Sequence, residues 1–129
     1  MKLSDYLAKY FEQKNIKHIF GVTGGGAMHL NDSFGKSRKI NFIMHHHEQA
    51  APMAAEAYSR LKKSVGVVSV TTGPGGTNSI TGVAGAWLDS IPLIIISGQV
   101  AKKDMINKSR TRQIGVQEIN IIDIVKPIT

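Results

Sequence analysis

The sequence contains no cysteine, which excludes a disulfide scaffold, an iron–sulfur cluster and any thiolate chemistry, and fits a reducing cytoplasm. Aromatic residues are sparse, at 6% with a single Trp. No run approaches the roughly 18 consecutive apolar residues that a bilayer-spanning helix needs. The opening Met1-Lys2-Leu3-Ser4-Asp5-Tyr6 lacks the apolar stretch of a secretion signal. What is present, 42% hydrophobic and 19% charged residues with 13 Gly and 4 Pro in 129 residues, is the makeup of one soluble folded domain. A disordered tail, a collagen-like fibre and a membrane span are all excluded by it.

Acidic residues are also short, 9 against 16 Lys and Arg, for a formal charge of +7 and a pI near 9.8. Much of the excess falls in one stretch, Lys102, Lys103, Lys108, Arg110 and Arg112, with Asp104 the single acid among them. A nucleic-acid footprint would combine such charge with stacking aromatics or a reading helix. This stretch has no aromatic, so a solvated loop is the reading adopted and a nucleic-acid partner is disfavoured.

Along the chain, helix and strand patterns alternate. Ser4 is placed to cap a first helix whose Tyr6, Leu7, Tyr10 and Phe11 share a face, with Asn15 as its stop. Residues 18–22 read as a short buried strand closed by Gly24-Gly25-Gly26, 27–34 as an amphipathic segment, and 40–43 as a second strand. A helix over about 49–61 leads to 65–70, β-branched and nearly all apolar, as a strand covered on both faces must be. The turn Thr72 to Thr77 opens a helix ending near Asp89, residues 92–97 form a further strand, and 117–125 a last helix or mixed segment. Such alternation predicts an α/β fold, a doubly wound parallel sheet with helices on both faces. Its ligand crevice is expected at the carboxyl ends of the strands.

Glycine after a strand suggests phosphate binding, yet neither glycine turn completes a phosphate motif. Gly24 and Gly26 fit the dinucleotide fingerprint, but His29 stands where its third glycine belongs, and no lysine follows the turn at 72–78. Both are readable as tight turns needing positive φ, or as places where backbone approaches a flat ligand. His45, His46 and His47 resemble a metal cluster, but in an extended segment alternate side chains diverge, and no zinc-type ligand set accompanies them. No metal site is assigned. Small residues Gly82, Ala84, Gly85 and Ala86 before Trp87 allow another backbone to come close, either within the domain or at a subunit interface.

Glu48 is the candidate for chemistry. Pro52 is tolerated only in the first helical turn, so Glu48 sits at or just before the N-cap. A carboxylate there could simply cap the helix. The surrounding sequence offers it no cation, however, and a carboxylate withdrawn from water without one has its pKa raised and can share a proton with a ligand nitrogen.

Gly21 to Gly25, His46 to Ala51, Ala55 to Arg60, Thr72 to Asn78 and Asp89 to Pro92, in this order and spacing, resemble the amino-terminal, pyrimidine-binding domain of thiamine diphosphate enzymes. The close of the chain, Arg112 to Glu118, is similar to the acetolactate synthase-like branch. The resemblance covers essentially all of 1–129 and departs at Thr23, where the family usually carries proline, and at Pro52.

The resemblance implies that Glu48 is the catalytic glutamate, hydrogen-bonded to N1′ of the cofactor's aminopyrimidine. It also implies that Val22, Thr23, Pro74 and Asn78 border that ring and that Gln117 lies near the active centre. By proton placement at N1′, the cofactor's C2 becomes a nucleophile toward a 2-oxo acid, which the branch implies to be pyruvate, followed by ligation to a carbonyl acceptor. In this family the diphosphate and magnesium (Mg2+) bind a carboxy-terminal domain, the active site is shared in a homodimer or homotetramer, and the branch admits FAD. The expectation is a cytoplasmic enzyme of which 1–129 is an incomplete domain, truncated at its carboxyl end and without turnover by itself. Competing classes are a nucleotide-binding oxidoreductase module and a non-catalytic basic nucleic-acid-binding domain. Steeply salt-dependent duplex affinity would favour the last.

Overall fold

The computed structural model describes residues 1–106 and 111–129. Helix α1, Leu3–Gln13, buries Ser4, Ala8 and Phe11 at helical spacing, with Asn15 stopping it at φ 58°. Two expectations for this helix are corrected. Ser4 is not the cap: Lys2 is, its backbone N–H donating to Asp5 Oδ2 at 3.3 Å, while Ser4 is buried inside the first turn. Its small side chain meets Ser33, 2.9 Å away on the next helix, so contact between helices outweighs its capping preference. Tyr6 and Tyr10 face outward, because the stripe that reaches the sheet is the one through Ala8 and Phe11.

Strand β1, His18–Gly21, leads through a 3-10 turn, Gly25–Ala27, into α2, Met28–Lys36, and then β2, Asn41–Met44. Helix α3, Ala50–Lys62, returns to β3, Gly66–Val70, whose five residues are all buried. The expected single helix after β3 is two, α4, Pro74–Asn78, and α5, Ile80–Leu88. They part at Ser79, whose hydroxyl donates to the Gly76 carbonyl at 2.6 Å and competes for the helical acceptor. Strand β4, Leu93–Ser97, follows, then a turn at Lys102–Asp104 and a short α6, Ile121–Val125. This last helix starts later than 117 because Gln117 takes φ 57° and Asn120 caps it, accepting from the Asp123 N–H. Lys102, Lys103 and Arg112 are exposed. Lys108 and Arg110 of the basic stretch lie outside the described residues.

The strands form a four-stranded sheet in the order β2-β1-β3-β4, every pairing parallel, with Phe20 opposite Ile43 and Val68 opposite Ile95. Side chains alternate between faces, so Ile19 and Val67 join Phe11, Phe34 and Ile40 beneath α1 and α2, whereas Phe20, Val68 and Val70 join Ala51 and Ala55 beneath α3. This is the doubly wound α/β architecture expected. The small residues of α5 serve an internal contact: a Cβ on Gly82 would come 2.6 Å from Pro52 Cγ, so α5 rests on α3 through glycine. Among the described residues, no helix is long and apolar enough to cross a membrane.

Candidate functional site

After β1 the chain goes one way to β2 and later the other way to β3, so the switch point of the sheet lies between the carboxyl ends of β1 and β3. The two glycine turns meet there. The Gly26 N–H donates to Thr71 Oγ1 at 3.0 Å, and a Cβ on Gly24 would come 2.5 Å from Thr71 Cβ. Close approach, not positive φ, therefore dictates glycine at 24, whose φ of −171° is extended backbone. Positive φ is needed at Gly73 alone among the described glycines (φ 61°), and a Cβ there would also strike the Gln117 carbonyl at 2.2 Å.

The histidine run bends, and the expected strand-like divergence of side chains does not apply to it. Extended pairing ends with the His45 N–H, which donates to the Gly21 carbonyl at 2.8 Å. His47 then folds back so that its Nδ1 accepts the Gln49 N–H at 3.1 Å and its carbonyl accepts the Ala50 N–H at 3.2 Å. His47 thus satisfies backbone donors at the start of α3, a task that usually falls to Ser, Thr, Asp or Asn. Among the described residues, no three His, Asp or Glu side chains converge as metal ligands.

This turn sets Glu48 immediately before the α3 N-cap, Gln49, as Pro52 predicts. Glu48 is half-buried rather than fully sheltered, and it does have a partner, a neutral one: Asn78 Nδ2 donates to its Oε2 at 3.0 Å. Among the described residues its carboxylate makes no ion pair. Its other oxygen, Oε1, lies over Gly75, where an added Cβ would be 3.6 Å away and would also press on Thr71 Cγ2 at 2.7 Å.

The remaining candidates divide into two groups. Val22, half-buried, and Thr23, exposed, follow β1 at the switch point, and Pro74, exposed, is the first residue of α4. Gln117 lies on the other flank of the β3 turn, its carbonyl against Gly73 and 3.4 Å from the Thr72 hydroxyl oxygen. With Gly26, His29, Thr72 and Gln99 it lines a depression of about 720 Å³ that does not include Glu48. A larger apolar hollow, about 850 Å³, lies between α5, β4 and α6 and meets the Gln117 depression at Gln99, which lines both. The strand-end stretches 71–78 and 97–99 fall where the crevice is expected, but the sequence singles out neither Thr71, which ties the β1 and β3 turns together, nor Thr72 with Gln99, whose Oε1 accepts the Thr72 hydroxyl at 3.1 Å and the Val100 N–H at 2.9 Å. The available signal was the pair of hydroxyl residues directly after an apolar strand.

A parallel sheet with interlocked glycine turns and an uncharged contact on a lone carboxylate at its switch point defines a ligand-binding α/β domain. The chain matches the model for the thiamine pyrophosphate enzyme, N-terminal TPP binding domain, over residues 1–124, and it belongs to that family. It is 44% identical over 115 residues to the acetolactate synthase large subunit of Buchnera aphidicola subsp. Acyrthosiphon pisum, covering 89% of this chain and 19% of that protein. Identity to the acetolactate synthase large subunit of Lactococcus lactis subsp. lactis is 38% over 126 residues, 98% of this chain and 21% of the relative. With the mitochondrial acetolactate synthase of Schizosaccharomyces pombe it is 52% over 87 residues, 67% of this chain and 13% of the relative. The chain therefore spans about a fifth or less of the length of these curated relatives. Thiamine diphosphate is the cofactor of the family, and the domain is acetolactate synthase-like.

Proposed function

We propose that this chain is the pyrimidine-binding part of an enzyme that decarboxylates a 2-oxo acid, pyruvate, and ligates the product to a carbonyl acceptor. The observation that carries the reading is Glu48: a half-buried carboxylate with no cation paired to it among the described residues, at the switch point, with Oε1 over Gly75. An aminopyrimidine needs a carboxyl group within reach of its ring nitrogen, and Glu48 supplies one, while the missing Cβ atoms of Gly24, Gly26 and Gly75 let the two turns close around Thr71 and Thr72 and so fix the ground on which Glu48 stands. The absence of a lysine after the glycines fits the pyrimidine end of the cofactor better than its diphosphate.

When bound, thiamine diphosphate supplies a thiazolium carbon nucleophile that also serves as electron sink for decarboxylation. Glu48 would hold the proton at N1′ of the aminopyrimidine, through the carboxyl oxygen that Asn78 leaves unoccupied. Val22 and Thr23 at the end of β1 and Pro74 at the start of α4 would border the ring, Asn78 stands behind Glu48 through its bond to Oε2, and Gln117 would approach from the far flank of Gly73. Magnesium and the diphosphate are assigned to a carboxy-terminal domain of such an enzyme, FAD to the same branch, and the working form to a cytoplasmic homodimer or homotetramer.

In an enzyme carrying this chain together with a diphosphate-binding domain, Glu48→Gln should slow exchange of the cofactor's C2 proton by about 10²-fold or more. Exchange at the unmodified rate would falsify the role given to Glu48.

A further inference from the structure

We propose that Asn78 is a positioning residue, its side-chain amide holding Glu48 Oε2 so that Oε1 is the oxygen offered to the aminopyrimidine. This rests on the role proposed above for Glu48, and it departs from the resemblance, which places Asn78 at the ring. The observation is the 3.0 Å bond from Asn78 Nδ2 to Glu48 Oε2, between residues 30 apart in sequence. An ionised carboxylate only accepts hydrogen bonds, so the amide nitrogen, not its oxygen, must face it.

Both ends of the bond are anchored independently. The Glu48 backbone lies in the turn that His47 closes onto α3. Asn78 ends α4, whose start is set by the positive φ of Gly73 and by Pro74. In the order β2-β1-β3, the bond spans the end of β1, where Val22 and Thr23 emerge. A glutamate side chain has three rotatable bonds to fix, and a hydrogen bond at one oxygen offsets part of that entropy cost. The chemical type of the partner matters as much as its position. Arg or Lys would fix the same oxygen but bring a full charge to it, whereas an amide orients the oxygen without adding one.

Two measurements on the chain test this. The first needs no ligand: Glu48→Ala should move the side-chain amide NMR signals of Asn78 and leave those of Asn15 in place. Unmoved Asn78 signals overturn the proposal. The second is a double-mutant cycle read as affinity for 4-amino-2,5-dimethylpyrimidine. Asn78→Ala should weaken binding about fivefold, the effect of one neutral hydrogen bond, when Glu48 is present, and not at all when Glu48→Ala is present. The isosteric Asn78→Asp should weaken it more than Asn78→Ala, since two carboxylates would then face each other. Equal losses in both backgrounds would mean that Asn78 touches the ring or only supports the fold, and would overturn the inference while leaving Glu48's role intact. If Glu48→Ala leaves affinity unchanged, the role of Glu48 fails first and the positioning role falls with it.

Discussion

The two faces of the sheet are packed from different materials. Beneath α1 and α2 the layer is bulky: Phe11 and Phe34 have ring centroids 6.1 Å apart and sit on Ile19, Ile40 and Val67. Beneath α3 the fully buried residues are smaller, Ala51, Ala55, Val68 and Val70 beside Phe20, with Tyr58, Leu93 and Ile95 half-buried at the margin, and α3 meets α5 where Gly82 faces Pro52. In the first layer, side-chain volume sets how far helix stands from sheet. In the second, backbones set the spacing. The candidate site belongs to the second, since Glu48 enters α3 and Asn78 directly precedes Ser79 and α5. Stability is thus concentrated on one face and positional precision on the other.

The largest test of that division is Phe34→Ala. Phe34 is fully buried, and its truncation should cost about 3–5 kcal/mol in urea unfolding. The Asn78 amide signals of molecules that remain folded should stay where they are. If they move with the loss of Phe34, the two faces are not separable.

Gly82→Val should cost less, about 1–3 kcal/mol, yet reach the site. A Cβ already comes within 2.6 Å of Pro52 Cγ, so α5 must shift against α3 and carry Asn78 away from Glu48. Trp87, half-exposed on α5 and the sole tryptophan, should report the shift by its emission. Unchanged emission with unchanged Asn78 signals would show that the glycine contact does not govern the site.

Periodicity made the architecture legible. The apolar run at 65–70 reads as a strand covered on both faces, found at Gly66–Val70, and Pro52 puts Glu48 at or just before the N-cap of α3, which is Gln49. What periodicity could not convey was any choice settled by a distant partner. Ser4 has the chemistry of a cap, and only Ser33 on another helix explains why it is buried. Ser79 looks helical until its hydroxyl finds the Gly76 carbonyl. Gly24 reads as a turn residue, but its need is set by Thr71, which belongs to another strand's loop. At the site, the type of Glu48 and its place before a helix were readable, whereas its amide partner came from 30 residues away. Gln117 was marked through resemblance, and the geometry puts it on the opposite flank of the β3 turn from Glu48.

The smallest expected effect sharpens the comparison from the bulky side. Where α1 meets α2, the Ser33 hydroxyl donates to Asp5 Oδ1 at 2.8 Å and holds that carboxyl below its ordinary value of 3.8, with the Lys2 N–H and ammonium adding to the effect. Asp32 is lowered in the same way, first by its bond from Lys36 and then by Lys2. A depressed folded-state pKa means the unfolded chain takes up protons first as pH falls. The stabilisation is therefore complete above the ordinary carboxyl range and disappears as pH drops through the folded value. Ser33→Ala should lower stability at neutral pH, and the gap from the unmodified chain should begin to narrow as pH falls below about 4 and go on narrowing until pH has passed through the lowered folded value of Asp5. The part that persists at low pH measures the Ser33 contact with Ser4, which carries no charge. Both parts should leave pyrimidine affinity unchanged, because they act on the helices that pack by volume, on the face of the sheet opposite α3.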